Sequence, residues 1–171
     1  MSGQPPGPKS DSSLRQVAVI GPGESADPDD LAAAREVGVL LARRRVVVVC
    51  GGLGGVMEAA AQGVAEAGGF SLGILPGSDP SSANRFLNLA LPTGLGEARN
   101  ALVIRAAQGV ISVGGSWGTL SELALARASG RPVISLRGWR LLDGRGRALP
   151  METADSPAAA VGRMLELLGG V

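Results

Sequence analysis

The chain has 171 residues, a net charge of +1 and one cysteine, Cys50, so no disulfide can form within it. The near balance of charges argues against a dedicated nucleic-acid or membrane-surface binder, which usually carries a basic excess. The absence of histidine excludes His-dependent catalytic triads and His-ligated zinc, and the single lysine, Lys9, is poorly placed for a pyridoxal-phosphate Schiff base.

Residues 1–13 are rich in proline, glycine and serine and are predicted to form a disordered tail. They lack the apolar stretch of a signal peptide, and no apolar run approaches the roughly 20 residues that a membrane span requires. We therefore expect a cytoplasmic protein without a membrane partner. Residues 14–171 are predicted to form its single domain.

Short apolar segments alternate with helical ones along this domain. Strands are predicted at about residues 17–20, 46–49, 70–75, 87–91, 110–113 and 132–136. Helices are predicted at about residues 28–44, 56–67, 97–108 and 119–129, and after Ser156, which is a helix cap followed by Pro157. This alternation is typical of right-handed β-α-β crossovers. The fold class is therefore α/β, a single-domain Rossmann-like three-layer fold with a mostly parallel sheet.

Glycine-rich turns follow three of the predicted strands, at the sheet edge where such folds usually bind ligands. The first, Gly21-Pro22-Gly23-Glu24-Ser25-Ala26, fits the dinucleotide fingerprint G-x-G-x-x-G/A. However, its helix begins near Pro28, too late to hold a pyrophosphate, and strand 46–49 is followed by Cys50 rather than an acidic residue. A tight turn is favoured over NAD binding, and Gly21 is kept as a candidate ligand contact.

The second turn, Gly51-Gly52-Leu53-Gly54-Gly55, lies between a strand and a helix. Gly51 and Gly52 allow a ligand or a second backbone to approach closely, and the start of the helix favours an anion. Ligand contact and close helix–strand packing both remain open here.

The third turn gives the strongest signal. Gly115, Ser116, Trp117, Gly118 and Thr119 follow a strand and open a helix, so backbone N–H groups and two hydroxyls together predict a phosphate site.

Two charged residues are candidates to hold or act on a ligand beside this phosphate site. Glu122 lies one helical turn beyond Thr119, on the same face. Alternatively, the segment from Thr119 to Glu122 is a capping box, in which Glu122 folds back onto its own helix. Arg99, early in the preceding helix, is either a solvated surface charge or a clamp that holds an anion with two hydrogen bonds.

Taken in order, these segments resemble a known family. The order is Gly51-Gly52-x-x-Gly55-x-Met57, Gly73-Ile74-x-Pro76, Arg99, and Gly-Gly-x-x-Gly-Thr-x-x-Glu at residues 114–122. It is similar to the Rossmann-like family once mislabelled "lysine decarboxylase". That family includes the LOG enzymes, which are cytokinin riboside 5′-monophosphate phosphoribohydrolases, and the molybdenum cofactor carrier proteins. The resemblance covers about residues 15–170.

The resemblance implies roles for individual residues. In the LOG enzymes the loop Pro-Gly-Gly-x-Gly-Thr-x-x-Glu holds the substrate phosphate and its glutamate works at the ribose. Here Gly114 stands for the proline and Ser116 for the second glycine, while Glu122 matches the glutamate. Arg99 matches the catalytic arginine of an Arg-Lys pair, but Asn100 replaces the lysine. In these departures the sequence is more similar to the carrier branch and its uncharacterised bacterial relatives than to the LOG enzymes.

The sequence thus predicts binding of a nucleotide-like phosphate ester, either a nucleotide monophosphate or a molybdopterin-type ligand, with no metal site and no cofactor required for catalysis. The alternative is a nucleoside 5′-monophosphate phosphoribohydrolase, in which Arg99 holds the substrate and Glu122 stabilises an oxocarbenium-like ribose. Glycosidic hydrolysis commonly uses two carboxylates, and Glu58 and Glu97 are the weaker candidates for the second. A third alternative is an assembly module without a ligand.

The expected partners follow from the same residues. The resemblance implies a homodimer or a higher homo-oligomer, and the balanced charge predicts no nucleic-acid partner. A pyridoxal-dependent lysine decarboxylase is excluded because the domain contains no lysine.

Overall fold

Seven strands form one sheet at the centre of the computed structural model, which describes residues 14–169. The strands are β1 (Gln16–Ile20), β2 (Val47–Cys50), β3 (Ser71–Leu75), β4 (Leu89–Pro92), β5 (Gly109–Val113), β6 (Val133–Leu136) and β7 (Glu152–Ala154). Their order is β4-β3-β2-β1-β5-β6-β7, and all neighbouring strands are parallel. The predicted tail, residues 1–13, lies outside the described residues.

Five α-helices cover the two faces of the sheet. They are α1 (Pro28–Arg43), α2 (Val56–Glu66), α3 (Asn100–Arg105), α4 (Trp117–Ala128) and α5 (Pro157–Leu167). One buried apolar cluster joins α1, α2 and α5 to the sheet, and a second joins α3 and α4 to the opposite face. The predicted three-layer α/β fold is confirmed. Within residues 14–169 no helix has both the length and the apolar character needed to cross a bilayer.

The local signals set most of the element boundaries. Asp27 caps α1 by accepting a hydrogen bond from the Asp29 N–H, and Pro28 takes the first helical position. Ser156 caps α5 in the same way, through the Ala159 N–H. β2 is the all-apolar strand expected for a position with helices on both faces.

Three elements differ from the prediction. The helix predicted at 97–108 is a 3-10 turn, Gly96–Arg99, followed by the six-residue α3. α4 begins at Trp117, two residues before the predicted start. β7 is a short edge strand that the sequence did not indicate, because its three residues are mostly exposed and carry no apolar pattern.

The topology brings the glycine-rich turns to one edge of the sheet. From β1 the chain adds β2, β3 and β4 on one side of the sheet, and it then returns to add β5, β6 and β7 on the other side. The strand order therefore reverses at β1, which pairs with both β2 and β5. Gly21, Gly51 and Gly114 each follow one of these three strands directly. In open parallel sheets, ligands bind in the crevice that such a reversal creates.

Candidate functional site

A cavity of about 360 Å³ opens at this crevice. Most of the residues predicted to form the site line it: Gly21, Gly51, Arg99, Ser116, Gly118, Thr119 and Glu122. They come from both sides of the reversal point, so the cavity exists only because β1, β2 and β5 are neighbours in the sheet.

The start of α4 forms one wall of the cavity. Ser116 is the N-cap of α4, and its hydroxyl accepts a hydrogen bond from the Thr119 N–H at 3.2 Å. The Ser116 and Thr119 hydroxyl oxygens lie 2.9 Å apart and share a further hydrogen bond. The alternative of a capping box starting at Thr119 is wrong, because Ser116 holds the capping position and Glu122 is paired with another residue.

That residue is Arg99, which the 3-10 turn before α3 presents to the opposite wall. Its Nη1 lies 4.0 Å from Glu122 Oε1, and the two side chains are only 8% and 10% exposed. The guanidinium lies directly against the Cα of Gly51, where an added Cβ atom would come 2.5 Å from Nη1 and 2.6 Å from Nη2. The prediction that Arg99 is a solvated surface charge is therefore wrong. The missing side chain of Gly51 leaves room for the Arg99 guanidinium.

Burial dominates the electrostatics of the Arg99–Glu122 pair. It raises the pKa of Glu122 to about 7, and the Arg99 charge only partly offsets this increase. Burial also lowers the pKa of Arg99, with Glu122 acting in the opposite direction. The site therefore places a carboxyl group that exchanges its proton near neutral pH beside a guanidinium that remains charged.

The hydrogen-bonding capacity of Arg99 is largely unused. Its Nε is buried and has no hydrogen-bond partner among residues 14–169. The 4.0 Å separation from Glu122 is also too long for a direct hydrogen bond. Buried donors are normally satisfied, so Arg99 is left with hydrogen-bonding capacity on the wall of the cavity.

The remaining predicted residues have other surroundings. Gly21 lines the cavity, and a Cβ there would collide with the Val113 carbonyl. Gly52, at φ +80°, packs against Leu75, and its carbonyl accepts a hydrogen bond from the Asn84 N–H at 3.0 Å. The observed start of α1 at Pro28 agrees with a tight turn after Gly21 rather than a pyrophosphate site.

Gly115 and Trp117 are not among the residues that line the cavity; both contact Trp139, which sequence reasoning missed. The Trp139 ring lies against the Cα of Gly115, where a side chain would not fit. Trp117 is 80% exposed, and its ring centroid is 5.2 Å from that of Trp139. No local pattern marks Trp139, which follows β6 in an irregular segment.

Apolar side chains complete the cavity. Ile20, Leu53, Met57 and Pro76 line it, together with Asn100 and the exposed Glu97. Met57 and Pro76 had been singled out by the family motif, whereas Ile20 and Leu53 had no signal beyond being next to a glycine turn. In the described part of the chain, no three His, Cys, Asp or Glu side chains are grouped to hold a metal ion.

Comparisons with known proteins agree with this arrangement. The molybdenum cofactor binding protein from the phototrophic bacterium Rippkaea orientalis superimposes with a TM-score of 0.83 at 35% identity, covering 91% of this chain and 98% of that one. The molybdenum cofactor carrier protein from Chlamydomonas reinhardtii gives a TM-score of 0.81 at 30% identity, with coverage of 91% and 99%.

A relative from Archaeoglobus fulgidus, an uncharacterized protein, is 38% identical over 148 residues, which is 86% of this chain and 93% of the relative. The SLOG cluster4 family matches residues 14–162. This match spans every strand of the sheet and all the residues that line the cavity, and the chain therefore belongs to the SLOG cluster4 family.

Proposed function

We propose that this protein binds a nucleotide-like phosphate ester, with the phosphate at residues 115–119, called here the anion loop. The observation that carries the proposal is the buried Arg99 guanidinium, which lines the same cavity as the start of α4 and lies 4.0 Å from Glu122, too far for a direct hydrogen bond. Burying a charged donor without an acceptor is costly. An anion in the cavity satisfies Arg99 and the loop together.

The start of α4 supplies the other half of the phosphate site. N–H groups in the first turn of a helix lack partners within the helix, and the helix dipole favours negative charge there. Ser116 already satisfies the Thr119 N–H. The N–H groups of Trp117 and Gly118, the first two residues of α4, remain for ligand oxygens.

Two ligand classes match this chemistry, a nucleotide monophosphate and a molybdopterin-type compound. Each combines a phosphate with a planar ring system. The similarity to one protein that binds molybdenum cofactor and another that carries it supports the second class. Arg99 and the anion loop would hold the phosphate, and Leu53, Met57 and Pro76 offer apolar contacts to the rest of the molecule.

The test is to incubate the protein with a panel of nucleoside monophosphates and to record both melting temperature and free base. A ligand at 100 times its dissociation constant stabilises the folded state by about 2.7 kcal/mol, which is easily measured. Stabilisation with the ligand intact supports a carrier. No stabilisation and no density at the anion loop in ligand-soaked crystals would favour an assembly module.

The matched pair of variants is Arg99→Lys and Arg105→Lys. Lysine keeps the charge but loses the planar, two-pronged donor of arginine. Arg99→Lys should weaken binding, whereas Arg105→Lys, on the exposed side of α3, should leave it unchanged. Equal affinity of both variants would remove Arg99 from the site.

The second candidate function is hydrolysis of the N-glycosidic bond of a nucleoside 5′-monophosphate. It is favoured by one observation, that burial places the pKa of Glu122 at about 7, in the range useful for a general acid or base. Glu97, at the cavity rim, is better placed than Glu58 as a second carboxylate, because Glu58 lines a separate groove between α1 and α2.

Base release distinguishes the two functions. In the hydrolase, Glu122→Gln removes a charge facing the developing oxocarbenium ion and should lower the rate about 10²–10³-fold. In the carrier, no free base forms with either protein.

The assembly and surroundings are proposed on the same basis. We expect a homodimer in the cytoplasm, without nucleic-acid or membrane partners, as the sequence predicts. Leu102 on α3 and Leu125 on α4 are both 37% exposed and are candidates for the contact between copies. Sedimentation velocity measures the oligomeric state directly.

A further inference from the structure

The chain has only two tryptophans, and their rings are in contact beside the anion loop, with Trp139 also against Gly115. Trp117 is the first residue of α4, directly between Ser116 and Gly118, which line the cavity. Its side chain is 80% exposed, more than any other large apolar residue in the described part of the chain. Burial of such a ring is strongly favourable, so a ligand that covers Trp117 would gain affinity from it.

The position of Trp117 is fixed by the neighbouring Trp139. The two rings meet edge to face, with an interplanar angle of 89°. Trp139 in turn lies against the Cα of Gly115, where the lack of a side chain leaves room for it. The Gly114 N–H also donates to the Leu136 carbonyl at 3.0 Å, which ties the segment before Trp139 to the anion loop. The indole is thus held by the same backbone that forms the phosphate site.

We propose that Trp117 stacks against the planar heterocycle of the phosphate ester, so that the ligand class is a phosphorylated heterocycle and not a plain sugar phosphate. This inference rests on the proposed phosphate site. The contact with Trp139 leaves Trp117 80% exposed, and Trp117 itself belongs to the loop that would hold the phosphate. Aromatic side chains stack on nucleobase-like rings without regard to their hydrogen-bonding pattern.

A second copy of the chain is the competing occupant of this surface. The ligand ring is favoured because Trp117 lies between two residues that line the cavity, Ser116 and Gly118, whereas the exposed leucines of α3 and α4 do not line it. The experiment therefore measures ligand affinity and oligomeric state on the same variants.

The experiment compares adenosine monophosphate with ribose 5-phosphate, which carries the phosphate and sugar but no ring. Dissociation constants are measured by calorimetry for the wild-type protein, Trp117→Ala and Trp117→Phe. Trp117→Ala should weaken adenosine monophosphate binding about five- to 100-fold and change ribose 5-phosphate binding by less than twofold. Trp117→Phe should retain most of the affinity, since phenylalanine also stacks.

A second readout tests contact directly. Adenosine monophosphate should quench the intrinsic fluorescence of the wild-type protein, and ribose 5-phosphate should not. Equal loss of affinity for both ligands in Trp117→Ala would overturn the inference, because the residue would then only support the loop. Unchanged affinity for both, or a change in sedimentation coefficient with unchanged affinity, would also overturn it.

Failure of the proposed phosphate site would give a different result from failure of the Trp117 role. If neither ligand binds the wild-type protein, the nucleotide class is rejected for the phosphate site, and stacking of Trp117 on a nucleotide ring is rejected with it. If both bind and only the ring-dependent difference is absent, the phosphate site stands and the role of Trp117 falls.

Discussion

The raised pKa of Glu122 predicts how the stability of the protein without a ligand depends on pH. In an unfolded chain this carboxyl has its ordinary pKa of 4.5, and burial in the folded protein raises the pKa to about 7. Folding therefore favours the protonated form, and the folded state loses stability as the pH rises from about 4.5 through 7. Glutamine mimics the protonated form at every pH, so Glu122→Gln should remove this loss.

The magnitude follows from the two pKa values. At about 1.4 kcal/mol for each pKa unit, Glu122→Gln should be more stable than the wild-type protein by about 3 kcal/mol at pH 8. Near pH 4.5 the difference should shrink to well under about 1 kcal/mol, because the wild-type carboxyl is then protonated in the folded state. For a chain of this size, about 3 kcal/mol corresponds to roughly 6–12 °C in Tm.

The assay is urea unfolding of both proteins between pH 4.5 and pH 8, since the difference between them cancels the other titrating groups. Glu36→Gln, on the exposed side of α1, is the control and should track the wild-type protein throughout. A Glu122→Gln protein that is less stable than the wild type at pH 8 would refute the reasoning. It would mean that Arg99 holds Glu122 ionised and that the pair stabilises the fold.

Three further predictions follow from single contacts. Gly51→Ala places a Cβ against the Arg99 guanidinium and should weaken ligand binding. Gly54→Ala, whose Cβ would make only an ordinary contact with Glu58 Oε2 at 3.9 Å, should not; calorimetry measures both. Cys50 is buried and its pKa is raised to about 11, so a thiol reagent should label it only after unfolding. Arg137→Ala leaves the buried Asp30 of α1 without its partner and should lower the free energy of unfolding, which urea unfolding measures.

The alternation of strands and helices could be predicted because the signals are local. Apolar runs mark the central strands, and Asp27, Pro28, Ser156 and Pro157 mark two helix starts. β7 could not be predicted, because its pairing with β6 depends on the neighbouring strand rather than on its own composition. Helix 97–108 was predicted too long since apolar periodicity does not distinguish a 3-10 turn from an α-helical one.

The site likewise contains residues that local signals predict and contacts that only the fold creates. The glycine turns and the family motif pointed to Arg99 and Glu122, but not to their contact, because 22 positions separate them in sequence and only the packing of α3 beside α4 joins them. Ser116 was recognised as part of the anion loop, yet its capping role was assigned to Thr119. Both hydroxyls suit a cap, and the choice depends on where the strand before them ends. Trp139 enters the site only through the fold.

The central position of β1 has a consequence for how the protein is made. Val17 pairs with Val48 soon after synthesis, but its pairing with Gly109 must wait until most of the chain exists. Such long-range pairing gives a high contact order and slows folding. A nascent chain that ends after β4 carries the strands of one flank of the sheet and two glycine turns, but neither Arg99 nor α4. The cavity therefore forms late, once the second half of the chain packs against the first.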